Sequence, residues 1–177
     1  MEWVPEFYSQ TGVWWGPAEA VVSDRDRRRV ARLESIAGPG PHRILELGCG
    51  YGTTAAAATQ AGHTVVGVEI SDRAAFAERL SGEAGGESFT MVRDDFYQVR
   101  LEGRFDLVCY WNGFGVGADA DQRRLLRRVA EKWLTLDGIA LIDIANPFVW
   151  ARWDGDEDSR EARPEVGYKF SLRERTT

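Results

Sequence analysis

The sequence predicts an α/β fold in which a doubly wound, mostly parallel sheet carries helices on both faces. Short, nearly continuous apolar runs alternate with helical patterns through the middle of the chain, which is typical of strands that are buried on both faces. Carboxylates, glycines and an asparagine follow these runs, at the sheet edge where such folds bind ligands. The 177 residues have the length of one domain.

Composition narrows the classes of function. The formal net charge is −6, which argues against a general nucleic-acid binder, because such proteins depend on a basic surface. No apolar run approaches the roughly 18 residues of a membrane span. The two cysteines, Cys49 and Cys109, lie in separate apolar contexts, so neither a disulfide framework nor a metal site is expected. We therefore expect a reduced, cytoplasmic location.

Residues 1–40 are predicted to form an aromatic N-terminal arm and a cap helix. In the arm, a short helix is expected around 4–9, with irregular structure after it. Two interpretations of the arm stay open: it packs on the core, or it is a lid over a substrate pocket. The cap helix is predicted from Ser23 or Asp24 to residue 37, because apolar residues recur at three- and four-residue spacing behind a capping side chain. The arginines at 27–29 are expected on its solvated face.

Residues 41–146 are predicted to form the cofactor-binding core. Its strands are expected at 44–47, 64–69, 89–92, 105–110 and 139–145. Its helices are expected at 53–61, at 71–81 with Ser71 and Asp72 as caps, and at 119–135. The last of these helices has a predicted apolar stripe of Leu125, Leu126, Val129 and Trp133.

Residues 147–177 are predicted to form a charged loop and an extra strand. The segment 154–165 is charged and poor in apolar residues, which predicts a loop. The segment 166–172 alternates weakly, which predicts a sixth, antiparallel strand. That strand, or a second copy of the chain in a homodimer, would cover the apolar edge of the fifth strand.

The stretch from Glu46 to Gly52, Glu-Leu-Gly-Cys-Gly-Tyr-Gly, is the strongest ligand signal. Glycines permit positive φ and close approach of a ligand to the backbone, and the helix start behind them offers unpaired N–H groups. A nicotinamide or flavin fingerprint is Gly-x-Gly-x-x-Gly, but Thr53 stands at its third glycine position here. Glu46 would repel a pyrophosphate and suits a ligand that carries an ammonium group.

This stretch resembles motif I of the class I S-adenosylmethionine-dependent methyltransferases. The resemblance continues in order over about residues 40–146, through segments similar to later family motifs at 65–69, 92–96, 105–108 and 136–142. It implies a Rossmann-like fold, with S-adenosylmethionine as cofactor and S-adenosylhomocysteine as product. The implied reaction is N- or O-methylation of a small-molecule acceptor.

The resemblance also implies which residues hold the cofactor. Glu69 would accept hydrogen bonds from the ribose hydroxyls, and Glu46 would attract the methionine ammonium group. Asp95, with Asp94 as its competitor, would contact the adenine amino group. The full expected cofactor set is Glu46, Gly48, Cys49, Gly50, Glu69, Ile70, Asp94, Asp95, Phe96, Trp111 and Asn112.

Some of these residues have a plainer alternative role. Ile70 and Phe96 would flank the adenine, or they belong to the core. Asn112 would contact the cofactor carboxylate or the substrate, or it only forms a turn with the following glycine. The sequence Trp-Asn-Gly-Phe at 111–114 replaces the Asp/Asn-Pro-Pro-aromatic motif of amino-methylating nucleic-acid enzymes, which favours a small-molecule or protein acceptor.

Methyl transfer places few demands on side chains, because the sulfonium is already activated and alignment in an enclosed site dominates. An amine acceptor needs only its lone pair, whereas a hydroxyl benefits from a general base. His42 and His63 are expected to be surface residues rather than that base. Candidate catalytic contacts are Tyr8, Asn112 and Asp143, and the expected acceptor contacts are Tyr8, Trp14, Trp15 and Asn146.

The chain departs from the family at its C-terminal side. The family sheet has seven strands, but only 30 residues follow Pro147 and many of them are charged. We therefore expect a form that lacks the last family strands, either shortened or naturally short. This departure keeps a second function open, a methyltransferase-like cofactor-binding or scaffold subunit without turnover. A nicotinamide-dependent oxidoreductase is a third function, which the glycine spacing disfavours.

Overall fold

The computed structural model describes residues 3–15, 20–144, 146–166 and 168–173. The main sheet consists of β1 (Arg43–Leu47), β2 (Thr64–Glu69), β3 (Phe89–Arg93), β4 (Phe105–Tyr110) and β5 (Leu134–Ile142). The helices are α1 (Trp3–Trp15), α2 (Asp24–Ala37), α3 (Thr53–Gln60), α4 (Ala74–Glu83), α5 (Asp119–Arg128) and α6 (Pro147–Trp150). A separate sheet pairs β6 (Glu157–Arg163) with β7 (Tyr168–Arg173).

The main sheet is parallel throughout and runs in the order β3-β2-β1-β4-β5. The chain moves outward from β1 through β2 and β3, and then crosses back to place β4 on the other side of β1. This reversal makes the carboxyl ends of β1 and β4 the switch point, where open α/β sheets bind ligands. The predicted α/β fold with a doubly wound parallel sheet is confirmed.

Apolar side chains alternate along β1 and fill a core on each face of the sheet. On one face, Ile44 packs with buried residues of α2, α3 and α4, namely Val30, Leu33, Ala55, Ala58, Ala77 and Leu80. On the other face, Leu45 and Leu47 pack with α5 and the turn after it through Leu125, Val129 and Trp133. Helices therefore cover both faces.

The predicted cap of α2 is confirmed. The predicted length of α1, by contrast, was wrong. The Ser23 hydroxyl accepts from the Asp26 amide, and the Asp26 carboxylate accepts from the Ser23 amide at 2.9 Å. The first helix, predicted to end near residue 9, continues to Trp15. None of the described helices has the length and apolar character of a membrane span.

The predicted start of α4 was also wrong. The helix begins at Ala74, and neither Ser71 nor Asp72 acts as its side-chain cap. Ser71 instead lies in the turn before the helix, where its amide donates to the Glu69 carboxylate at 2.8 Å and its hydroxyl accepts from the Arg73 amide at 3.4 Å.

The helix predicted over 119–135 is shorter than expected. After α5 comes one π-helical turn, Val129–Trp133, and β5 then begins at Leu134, earlier than predicted. Leu134 already pairs with Phe105 of β4, so the sheet ladder overrides the helical pattern. Leu126, assigned to the apolar stripe, is 41% exposed.

The C-terminal region differs from its prediction. The charged segment 154–165, predicted as a loop, contains β6, because an antiparallel partner supplies its ladder. That partner is β7, close to the predicted strand at 166–172, and it pairs with β6 rather than covering β5. In the described part of the chain, β5 therefore stays at the edge of the main sheet. Its Leu136 is 99% exposed.

Candidate functional site

A cleft of about 120 Å³ opens at the carboxyl ends of β1, β2 and β4. It is bounded by the glycine turn after β1, the end of β2, the loop after β4 and one side of α1. Its described lining is Val4, Tyr8, Gly48, Gly50, Glu69, Ile70, Arg73, Phe96, Tyr110, Trp111, Asn112, Gly113 and Val116. Most of the predicted cofactor residues thus lie together, with Tyr8 of the predicted acceptor set beside them.

Gly50 of the turn leaves room for a ligand, whereas Gly52 serves packing. Gly48 and Gly50 line the cleft with φ of 60° and 57°, values that glycine adopts at little cost. A Cβ placed on Gly50 would meet no atom within 4 Å, so the backbone there faces open space. A Cβ placed on Gly52 would lie 2.8 Å from the Cβ of Ala77. Gly52 therefore lets the turn pack against α4.

Glu69 ties the glycine turn to the end of β2. Its carboxylate is buried, and Oε2 accepts from the Gly50 amide at 2.9 Å. Oε1 accepts from the amides of Ile70 and Ser71 at 3.0 and 2.8 Å. An ionised carboxylate has about four acceptor positions, so about one remains for a ligand hydroxyl in this arrangement.

Glu46 faces a much smaller neighbouring cavity of about 10 Å³ rather than the cleft itself. Side chains alternate along β1, so Glu46 points to the same face as Ile44. Glu46 is 4% exposed, and burial raises the pKa of its carboxyl to about 8. Trp111 lines both the cleft and this cavity, so the two spaces are adjacent.

Arg29 of α2 reaches into the same small cavity, which corrects the expectation that all three arginines are solvated. Its guanidinium carbon lies 5.3 Å from the centre of the Trp111 ring, and Nη1 donates to Thr54 Oγ1 at 3.1 Å. Burial lowers the pKa of Arg29, and the nearby Glu46 opposes that shift. Arg27, by contrast, is exposed and pairs with Asp24 of its own helix.

The two aspartates predicted to contact adenine are held by the chain around them. Oδ1 of Asp95 accepts from the Tyr97 amide at 2.8 Å, and Oδ1 of Asp94 accepts from the Asp95 amide at 2.7 Å. Neither is among the described residues that line the cleft, whereas Ile70 and Phe96 both line it. The choice between the two aspartates stays a prediction.

Arg73 is a cleft residue that sequence reasoning missed. Its guanidinium carbon lies 5.3 Å from the ring centre of Tyr8 and 5.0 Å from that of Tyr51, and Nη2 donates to Thr11 Oγ1. Its Nε is buried and has no hydrogen-bond partner within the described chain. Arg73 thus connects α1 to the core beside the cleft through these contacts. No local pattern indicates this role, because Tyr8 and Thr11 come from the distant N-terminal region.

The loop after β4 completes the cleft. Asn112 has a φ of 56°, and its amide donates to Oδ1 of Asp143. Asn112 lines the cleft, whereas Asp143, which holds the Asn112 backbone, is not among the described lining residues. The other lining residues that the sequence did not indicate are Val4, Tyr110, Gly113 and Val116. For the last two, the glycine-rich turn after β4 was the available signal.

An open groove adjoins the cleft beside α1. Its walls share a set of residues with the cleft, namely Tyr8, Asn112, Gly113 and Val116. It continues along Trp3, Phe114, Gly115 and Gly117. The described residues of this groove include no charged side chain, and Trp3 is 53% exposed.

Other predicted site residues lie elsewhere. Cys49 is buried with its Sγ 3.6 Å from Met91 Sδ, and burial raises its thiol pKa. Oδ1 of Asn146 accepts from the Phe148 amide at the start of α6. The side chains of Trp14 and Trp15 lie outside the described part of the structure, so their predicted acceptor contacts stay predictions.

His63, predicted at the surface, is 2% exposed and lies at the opposite, amino-terminal edge of the sheet. It packs under the end of α2, where Nδ1 accepts from the His42 amide at 3.2 Å and Nε2 lies 3.4 Å from Oε1 of Glu34. Its distance from the ligand edge agrees with a role other than catalysis. No group of His, Cys, Asp and Glu side chains in the described residues could hold a metal ion.

Comparison with known proteins gives a family match over the core. The family model described as "Methyltransferase domain" matches residues 44–135, more than half of the chain. Among curated relatives, the cypemycin N-terminal methyltransferase of Streptomyces sp is 28% identical over 117 residues, 66% of this chain and 47% of that protein. The ubiquinone biosynthesis O-methyltransferase of Thiobacillus denitrificans is 28% identical over 99 residues, 54% of this chain and 43% of that protein. The chain thus spans about half the length of these relatives.

Solved structures share the fold. The CcbJ methyltransferase from Streptomyces caelestis superposes with a TM-score of 0.68 at 22% identity, covering 88% of this chain and 64% of that one. The sugar N-methyltransferase KedS8 from Streptoalloteichus sp superposes with a TM-score of 0.59 at 25% identity, covering 78% of this chain and 56% of that one. These likenesses extend beyond the family match to most of the described chain.

Proposed function

Because this chain belongs to the class I S-adenosylmethionine-dependent methyltransferase family, we propose that it transfers a methyl group to a small-molecule acceptor. The observation that carries the proposal is the cleft, where the glycine turn, Glu69 and two apolar side chains meet. An adenosine fits this set. The open backbone at Gly50 permits close approach, the carboxylate suits a hydroxyl, and Ile70 and Phe96 offer apolar contact to a flat base.

The residues of the cleft would hold and orient the cofactor rather than take part in bond making. When bound, S-adenosylmethionine supplies a methyl group that is already activated on a sulfonium. Glu69 would accept from a ribose hydroxyl at its remaining position, and Asp95 or Asp94 would accept from the adenine amino group. Arg73, which lines the same cleft, would place a positive charge beside the ligand.

The groove beside α1 is the proposed place of the acceptor. It meets the cleft at Tyr8 and Asn112, so an acceptor there would lie next to the methyl donor. Aromatic side chains at Trp3 and Phe114 and the lack of charge in its described lining suit a planar, uncharged molecule. Alignment of the two partners is then the main contribution to rate.

The described residues favour an amine over a hydroxyl as the methylated group. A hydroxyl needs a general base. The Glu69 carboxylate already accepts hydrogen bonds from three backbone amides, so it is poorly placed to take up a proton. Burial raises the pKa of Tyr8, so its phenol stays protonated at neutral pH and is a poor base. No histidine is among the described residues of the cleft or the groove. A neutral amine attacks through its own lone pair and needs only orientation.

Two measurements test the proposal. Titration calorimetry should detect binding of S-adenosylhomocysteine and no binding of NADH, and the reverse result would overturn it. Methyl release should then be followed with planar aromatic amines and with phenols of the same shape. We expect transfer to amines, while transfer to phenols alone would contradict the argument from the missing base.

The second candidate function is a cofactor-binding or scaffold subunit without turnover. The open acceptor groove supports it, because methyl transfer benefits from a site that excludes water. Binding of S-adenosylhomocysteine together with no methyl release from S-adenosylmethionine across the acceptor panel would favour this function.

A further inference from the structure

The loop after β4 forms a wall that the cleft and the open groove share. Its segment 113–117, Gly-Phe-Gly-Val-Gly, lines the groove throughout, and Gly113 and Val116 line the cleft as well. Three of its five residues are glycines, and Gly115 and Gly117 have φ of 114° and 101°. A glycine-rich backbone has many accessible conformations, so contacts from outside the loop are needed to hold it in one shape.

Gln122 of α5 supplies such contacts with both ends of its side-chain amide. Oε1 accepts from the Gly115 amide at 3.3 Å, and Nε2 donates to the Val116 carbonyl. The loop thus presents one donor and one acceptor to this side chain. An amide can satisfy both, whereas a carboxylate can only accept.

Tyr97 supports the same point of the loop. Its hydroxyl donates to the Val116 carbonyl at 2.8 Å and accepts from Nε2 of Gln122 at 3.3 Å. The residue is buried, and its ring centre lies 4.9 Å from that of Phe96. Because Phe96 lines the cleft, Tyr97 fixes the loop to a rigid part of the core beside the site.

Neither Gln122 nor Tyr97 is among the described residues that line the cleft or the groove. Both therefore act on a ligand through the loop. The effect should be larger in the groove, where all five residues of segment 113–117 lie, than in the cleft, which Gly113 and Val116 alone of this segment line. The position of this wall matters for rate, because methyl transfer depends on alignment of the two partners.

We propose that Gln122, supported by Tyr97, is a positioning residue for the acceptor, because it fixes the wall of the groove against which a planar amine lies. The inference rests on the proposed function, since it assumes that the groove takes the acceptor. It predicts that a residue outside both spaces controls acceptor affinity separately from cofactor affinity.

Fluorescence titration with 6-aminoquinoline, a planar aromatic amine, tests the inference on protein saturated with S-adenosylhomocysteine. Gln122→Met keeps an unbranched side chain but removes both hydrogen-bonding ends, so it should weaken binding of 6-aminoquinoline by about tenfold. Calorimetry should show a nearly unchanged affinity for S-adenosylhomocysteine. Gln122→Glu should lose as much affinity for 6-aminoquinoline as Gln122→Met, because its carboxylate offers no donor to Val116. Gln60→Met, the same change at the exposed end of α3, is the matched control and should change neither affinity.

Several results would overturn the inference. Equal weakening of both ligands in Gln122→Met would show a purely structural role. Full affinity for 6-aminoquinoline in Gln122→Met or Gln122→Glu, or no binding of it to the unsubstituted chain, would also contradict the inference. Tyr97→Phe removes one donor to Val116 and serves if Gln122→Met does not fold; it should weaken 6-aminoquinoline alone, by about threefold. Failure of the unsubstituted chain to bind S-adenosylhomocysteine would instead contradict the proposed function.

Discussion

At the scale of single residues, the Glu69 carboxylate has a structural role and also lines the cleft where we propose that the cofactor binds. It holds the amides of Gly50, Ile70 and Ser71 while it lines the cleft. A substitution there therefore acts on the fold and on the ligand together. The two effects have to be measured separately.

Glu69→Ala should weaken binding of S-adenosylhomocysteine by about 1–3 kcal/mol, the usual result of leaving polar partners unsatisfied. The melting temperature should fall as well, because three amides lose their acceptor. Calorimetry and thermal unfolding of the same sample measure the two effects. Glu78→Ala on the exposed side of α4 is the control and should change neither value. Unchanged affinity in a folded Glu69→Ala variant would remove Glu69 from the cofactor site.

If Glu46 binds the ammonium group of the cofactor, binding should depend on pH. Burial raises its pKa to about 8, so the group is mostly protonated at neutral pH without ligand. An ammonium group beside it favours the ionised form, so binding releases a proton. Affinity for S-adenosylhomocysteine should therefore rise between about pH 6 and pH 8, by at most tenfold per unit for one proton. In Glu46→Gln this rise should disappear. If the variant kept the full rise of affinity with pH, another titrating group would be responsible for that rise.

His63 makes stability depend on pH in the acid range. Burial lowers its pKa, although Glu34 opposes the shift, so the folded state favours the neutral ring and the unfolded chain binds more protons. Its contribution is fully present above the unfolded pKa of about 6.5 and is lost as pH falls from there through the lower folded pKa. Urea unfolding across this range should show the loss, and His63→Gln should show a smaller one. An equal loss in both proteins would refute the assignment.

At the scale of elements, Gly50 and Gly52 in the turn after β1 have separable tasks, and Gly62 after α3 serves as a reference. Gly52→Ala places a Cβ 2.8 Å from Ala77 at a φ of 76°, so it should lower the free energy of unfolding by roughly 2–5 kcal/mol. Gly62→Ala, at a φ of 93° with no atom within 4 Å, has backbone strain alone and should lower it by about 1–2 kcal/mol.

Gly50→Ala completes this comparison. Its Cβ meets no protein atom but projects where the cleft begins, so stability should change as little as in Gly62→Ala while nucleoside affinity falls. Urea unfolding of the three variants measures their stability, and calorimetry measures their affinity for the nucleoside. If Gly50→Ala keeps full affinity, the turn does not contact the ligand.

The elements also show how far the sequence predicts this protein. Strands β1 to β4 follow from local apolar runs, and Gly48, Gly50 and Glu69 follow from their positions after those strands. Arg29 and Arg73 do not, because their placement depends on α2 packing on α3 and on α1 reaching the end of β2. The early start of β5 was missed for the same reason, since its first pair with β4 is a long-range contact.

At the scale of the whole molecule, the open edge of β5 is the main surface feature of the described chain. Leu136 is 99% exposed on this strand, and Ile144 and Phe148 after it are 68% and 80% exposed. Unpaired apolar edges favour association with another strand. We propose that a second copy of the chain covers this edge.

Light scattering over a range of concentrations tests the association. The unsubstituted chain should form dimers, and Leu136→Lys should be monomeric because it places a charge on the edge. Leu126→Lys, which changes an exposed leucine of α5, should still form dimers. A monodisperse monomer that binds no hydrophobic dye would contradict the proposal.

The cleft has one further consequence, which follows from the strand order. Its described lining residues range from Val4 to Val116, so no short stretch of the chain contains the cleft and the cleft exists only in the assembled sheet. Any ligand held there favours the native state over the unfolded chain, by about 2.7 kcal/mol at a concentration one hundred times its Kd. In a cell, the supply of methyl donor would then govern how much of this protein escapes degradation, and its abundance would follow the metabolic state.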